Sequence, residues 1–192
     1  MTRFHLVRHG PTHEKTFVGW RDVPADLSDH AAISRLHEGL PQDALVVSSD
    51  LIRAVATADA ISAGRQRLPH DPDLREFDFG VWDGMHHSEV SADYADHSRA
   101  FWETPGDVEA PGGESWNAVA TRVSAALDRL HVAHPEADIV VVGHFGMILT
   151  QLGRARGTSP YDTLGQKIDN LSVTSLHRLA DGWDIHRINH VF

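Results

Sequence analysis

A chain of 192 residues with 41% hydrophobic and 23% charged content has enough apolar material to bury a core, and it reads as a single globular domain over 1–192. Its net charge of -10 argues against a nucleic-acid partner, which would call for a basic face. With no cysteine, disulfides, thiolate zinc sites and a cysteine nucleophile are excluded together.

No apolar run approaches the ~20 residues of a membrane span, so no membrane association is expected. Met1-Thr2-Arg3-Phe4 leads straight into an apolar segment without a signal-peptide pattern, which makes the cytoplasm the expected location. Fifteen histidines invite a metal reading. Adjacent His86 and His87 would point to different sides of any element, however, and no H-E-x-x-H pattern occurs. Neither a metal nor a cofactor is expected.

Phe4 to Val7 reads as a short buried strand that delivers Arg8 and His9 to its carboxyl end, where Gly10 lets the chain turn. A histidine beside a fixed cation suits attack on an anionic phosphorus centre, because neutral imidazole is a competent nucleophile near physiological pH. The loop Pro11 to Leu27 is long for a connection and carries Lys15, Phe17, Gly19, Trp20 and Arg21. Its cations could face a phosphate, while Phe17 and Trp20 could equally pin the loop to the core.

Ser28 is placed to cap a helix bearing Ile33, Leu36 and Leu40, stopped by Gly39 and Pro41. Ala44 to Val47 follows as a strand. Ser48-Ser49-Asp50 then offers caps for a helix to about Ser62, with Leu51, Val55, Ala58 and Ile61 as its stripe and Arg53 in its first turn. Helix N-termini attract anions, and an arginine there adds a bidentate fork. Pro69 and Pro72 make the next stretch irregular. In Leu74 to Gly84 aromatics flank carboxylates, which can bury one of them as a proton donor; Glu76 is the candidate.

Ser88 to Glu103 reads as short helical pieces, and 77–110 as a cap insertion over the site. A long helix runs from Ser115 to about His134, with Trp116, Val119, Val123, Leu127 and Leu130 on one face. Ile139 to Val142, the most apolar run, is expected as a central strand buried on both faces. It ends at His144, before a helix from Met147 to about Leu152. Leu171 to Leu179 and Trp183 to Val191 form a hairpin about Asp181-Gly182. The fold class is α/β: a three-layer sandwich with a mostly parallel central sheet and helices on both faces. His9, Arg53 and His144 then all lie at strand-to-helix turns, which share one edge of a parallel sheet.

These segments together resemble the histidine phosphatase superfamily, the phosphoglycerate-mutase-like enzymes. Arg8-His9-Gly10 is similar to its nucleophile motif, and Ser48 to Ala54 to its second-arginine segment. Leu74 to Gly84 is similar to its proton-donor segment, and Pro111 to Ser115, Val142-Gly143-His144 and Asn170 to Thr174 complete the order. The resemblance implies that His9 forms a phosphohistidine, that Arg8, Arg53 and His144 bind the equatorial phosphate oxygens, and that Glu76 protonates the leaving oxygen, with no metal required. Substrate contacts are expected from Thr12, Lys15, Gly19 and Phe145. The partner would be a small phosphorylated metabolite; a homodimer is compatible with this.

Lys15 stands where the family often has asparagine, and Val18 replaces a hydroxyl residue of the mutase loop. Lys15 is expected to compensate as a phosphate or carboxylate contact. These departures favour a phosphatase over a phosphoglycerate mutase. An α-ribazole-phosphate phosphatase and a non-catalytic phosphate-binding module are the other readings. Asp71-Pro72-Asp73 has the spacing of an aspartate nucleophile but follows no buried strand, and no G-x-S-x-G elbow is present.

Overall fold

The computed structural model describes residues 1–192. Five strands form one sheet: β1 (Thr2–Arg8), β2 (Leu45–Ser48), β3 (Asp138–Gly143), β4 (Val173–Leu179) and β5 (Gly182–His190), in the order β2-β3-β1-β4-β5. β3 pairs in parallel with β2 and β1, while β4 is antiparallel to both β1 and β5. The sheet is therefore mixed, with only β4 reversed. The α/β class and the mostly parallel sheet read from the sequence both hold.

Register positions the site. Arg8 lies beside Gly143, and Ser48 beside Val142. The residues that follow these three strands, His9, His144 and Ser49, therefore leave the sheet at nearly the same level.

Alternation along the strands divides the core into two layers. Phe4, Leu6, Ile139 and Val141 face α5 (Trp116–Ala133) and α6 (Phe145–Arg156); Val7, Val46, Val140 and Val142 face α1 (His30–Gly39) and α2 (Ile52–Ile61). Each such side chain, fully removed from water, contributes about 1.5–3 kcal/mol. The expected burial of Ile139 to Val142 on both faces is observed. Between α2 and α5 the chain forms two short 3-10 turns and the helices α3 (His87–Asp93) and α4 (Ala95–Glu103). No helix is long and apolar enough to cross a membrane.

Several boundaries differ from the sequence expectation. α1 is capped by Asp29, whose carboxylate accepts from Ala32 N, because Asp26 already holds the amide of Ser28. α2 has no local side-chain cap. Ser49 is committed to His144 and Asp50 to Arg75, so the Ile52 amide is instead taken by Asp22 from the preceding loop, at 2.7 Å. Its buried stripe is shifted to Arg53, Ala54, Thr57, Ala58 and Ile61, leaving Val55 only half-buried. α6 continues to Arg156 and stops at Gly157, whose φ of 65° supplies the left-handed C-cap. A short helix, α7 (Pro160–Leu164), capped by Ser159, was not expected.

Candidate active site

At the common carboxyl edge of β1, β2 and β3 the structure brings together His9, Arg8, Arg53, His144 and Glu76. His9 follows β1 directly. Its Nδ1 lies 2.6 Å from the Gly10 carbonyl, which can only accept, so the proton sits on Nδ1 and the lone pair on Nε2. Arg53 Nε donates to that Nε2 at 3.2 Å, consistent with the same tautomer. Asn170 donates to the His9 carbonyl at 2.8 Å and Thr57 accepts from the Gly10 amide at 3.0 Å, so the turn is held from both sides. Burial, then the charge of Arg53, pushes His9 down to about 3 despite the opposing bond to Gly10. The imidazole is therefore neutral and nucleophilic across the physiological range.

Arg53 is 1% exposed, on the first turn of α2. Its remaining nitrogens donate to the carbonyls of Gly19 at 2.7 Å and Arg21 at 3.1 Å, and no carboxylate pairs with it. Arg8 donates to the Ile168 carbonyl at 2.7 Å and lies over the Phe145 ring at 5.4 Å, while its Nε is buried without a partner. Burial lowers both arginines from their ordinary value, and the charge of Glu76 acts in the opposite direction. His144 is fully buried, 5.2 Å from His9 between ring centroids. Its Nε2 shares a hydrogen bond with Ser49 Oγ at 2.7 Å, and its Nδ1 has no partner. Burial, then Arg53 and His9, holds His144 well below its ordinary value.

Taking a charge out of water costs several kcal/mol per ion unless it is paired. Two guanidiniums without carboxylate partners, with Arg8 Nε and His144 Nδ1 left without partners, lie near the His9 lone pair that Arg53 contacts, and together form a site complementary to a compact oxyanion such as phosphate.

Glu76 lies on the other side, 7% exposed. Oε1 accepts from the amides of Phe77 at 3.0 Å and Met147 at 3.2 Å, and Oε2 from Gly146 at 3.0 Å. The first turn of α6 thus fixes the carboxyl group. Arg122 holds the backbone behind it, donating to the carbonyls of Asp73, Arg75 and Glu76 and pairing with Glu114. A small cleft opens from Glu76, Phe145 and Gly146 towards α4 and α5.

The four expected substrate contacts are placed differently from one another. Phe145 lines the cleft. Gly19 is buried and serves through its carbonyl, which orients Arg53; a Cβ there would lie 2.5 Å from the Phe77 carbonyl. Thr12 is half-buried, and its side chain makes no hydrogen bond; Lys15 is exposed, without hydrogen bond or ion pair. Phe17 pins its loop by packing against Phe79, Trp82, His87 and Trp102, whereas Trp20 is 38% exposed and donates to the Glu76 carbonyl.

Sequence reasoning missed Ser49, Asn170 and Arg122. The first two lie inside segments already marked by the family resemblance. Arg122 is eight residues after Glu114, and nothing in its neighbourhood distinguishes it from an ordinary helix-surface arginine.

A family model for the histidine phosphatase superfamily (branch 1) matches residues 4–191. A phosphoglycerate mutase-like protein of Arabidopsis thaliana is 36% identical over 191 residues, covering 94% of this chain and 81% of that one. A bifunctional protein of Mycobacterium tuberculosis is 33% identical over 198 residues, 94% of this chain; the chain spans 51% of that relative's length. Among solved structures, a mycobacterial glucosyl-3-phosphoglycerate phosphatase superposes with a TM-score of 0.83 at 28% identity, covering 97% of this chain and 98% of its own.

Proposed function

The chain belongs to the histidine phosphatase superfamily, and from that premise we propose that it is a metal-independent phosphomonoester hydrolase acting on a small phosphorylated metabolite in the cytoplasm. The observation that carries this reading is the His9 Nε2 lone pair, met by the buried Arg53 guanidinium and close to the charge of half-buried Arg8, neither arginine having a carboxylate partner.

Substrate phosphate displaces the Arg53 contact and seats its oxygens on Arg8, Arg53 and His144. His9 Nε2 attacks phosphorus in line. A P–N bond forms, the P–O bond to the leaving group breaks, and Glu76 gives that oxygen its proton. Glu76, now a carboxylate, takes a proton from water. The hydroxide attacks the phosphohistidine, the P–N bond breaks, and inorganic phosphate is released. The transition-state charge is met by the two arginines, the part a divalent cation plays elsewhere. The segment 77–110, with α3 and α4, acts as a cap over the leaving group.

The test is hydrolysis of p-nitrophenyl phosphate in EDTA by wild type and His9→Ala. Wild-type turnover is expected to survive EDTA and to fall at least ~10³-fold in the variant. An active His9→Ala protein, or inhibition by EDTA that added metal restores, would overturn the mechanism.

A further inference from the structure

The cleft beside Glu76 has a largely apolar wall. Of its 12 lining residues nine are hydrophobic, and Glu76 contributes the only ionisable side chain. Phe77, Phe79, Phe101 and Trp116 form one packed aromatic group, with Phe77 and Phe79 stacked at 5.9 Å and Phe77 and Trp116 at 6.0 Å. Trp102 from α4 and Phe145 from α6 are only half-buried, so they leave ring surface for a ligand.

The cleft adjoins the phosphate site through Glu76 and Phe145. Glu76, which would protonate the leaving oxygen, lines it, and Phe145 lies both on its wall and beneath the Arg8 guanidinium. A leaving group bonded through that oxygen therefore enters this space.

We propose that the cleft is the leaving-group subsite and that it takes an apolar, ring-bearing or branched hydrocarbon alcohol, so that the preferred substrate is a phosphomonoester of a lipophilic alcohol. This rests on the phosphatase reading above. Two properties of the wall exclude the polar alternatives. No lysine, arginine or histidine lines it, so a carboxylate on the leaving group would meet only the Glu76 carboxyl. Beyond Glu76 its only side-chain donors are the indole N–H groups of Trp102 and Trp116, too few to satisfy the several hydroxyls of a sugar. Apolar walls with one oriented polar group are the usual form of a selective small-molecule pocket.

The experiment compares kcat/KM for 2-phenylethyl phosphate, ethyl phosphate and 3-phosphoglycerate. The first two share an alkoxide leaving group and differ only in the ring. Wild type is expected to favour 2-phenylethyl over ethyl phosphate by about tenfold or more, with 3-phosphoglycerate below both. Trp102→Ala is expected to cut the phenylethyl-to-ethyl ratio about fivefold or more. Val108→Lys, which places a cation on the wall, is expected to raise 3-phosphoglycerate relative to phenylethyl phosphate. Equal turnover of the two alkyl esters, or a preference for 3-phosphoglycerate in wild type, overturns the apolar subsite and leaves the phosphatase reading standing. Absence of turnover of all three and of p-nitrophenyl phosphate overturns both.

Discussion

Arg53 spends two of its nitrogens on the carbonyls of Gly19 and Arg21 and the third on His9, so its plane is set before any substrate arrives. That fixed orientation is what a lysine cannot reproduce: an ammonium would keep the charge and lose the fork. Arg53→Lys is expected to lower kcat/KM for phosphomonoesters by about 10²–10³-fold, while leaving far-ultraviolet circular dichroism unchanged. A loss below about tenfold would mean that charge alone suffices and that the carbonyl contacts do not matter. His9, Arg53 and His144 were legible from the sequence because each follows a strand that its apolar run betrays. The tautomer of His9 was not legible, since it depends on a backbone carbonyl one residue on and an arginine 44 residues away.

At the scale of elements, α6 does more than cover the sheet. Its first turn carries Phe145 into the cleft, and its Gly146 and Met147 amides grip Glu76. Gly146 is needed there for space. A Cβ would lie 2.5 Å from the Phe77 ring and 2.6 Å from Glu76 Oε1. Gly146→Ala is expected to displace the carboxyl group, lowering kcat about tenfold or more and stability by about 1–3 kcal/mol. Unchanged kcat in steady-state assays would show that Glu76 need not be held this way.

The local rule that failed at the start of α2 is instructive. Ser48, Ser49 and Asp50 are good capping residues, but the first holds His70, the second His144 and the third Arg75. Tertiary demands at the site outbid the local cap, and the helix took Asp22 in its place. α7 went unread for a different reason: five residues are too few to show a helical period, although Ser159-Pro160 is a fair start signal.

For the whole molecule, binary patterning was sufficient to give the layers. β3 is apolar throughout because both faces are covered, and the reversed β4 follows from its place beside the hairpin turn. The price of the site appears in the pH dependence of stability. His9 and His144 are buried and neutral, with folded values below the unfolded one near 6.5. The unfolded chain binds their protons first, so stability is fully present above about pH 6.5 and declines as pH falls towards about 3, by up to about 1.4 kcal/mol per pH unit for each histidine. Urea midpoints measured between about pH 6.5 and 5.5, above most of the range in which the carboxylates titrate, are expected to fall steadily, with a shallower slope in His9→Asn. A flat profile would contradict the burial of neutral imidazoles.

The central claim is that His9 Nε2 carries the phosphoryl group between substrate and water. The most direct measurement is rapid acid-free quenching of wild type and Glu76→Gln during turnover, followed by fragment mass spectrometry and ³¹P NMR of the trapped protein. The account predicts phosphate on the His9 ring at Nε2, with more accumulating in Glu76→Gln on an aryl phosphate, whose leaving group needs no proton. Phosphate on any other residue, or none with single-turnover inversion at phosphorus in wild type, would contradict it.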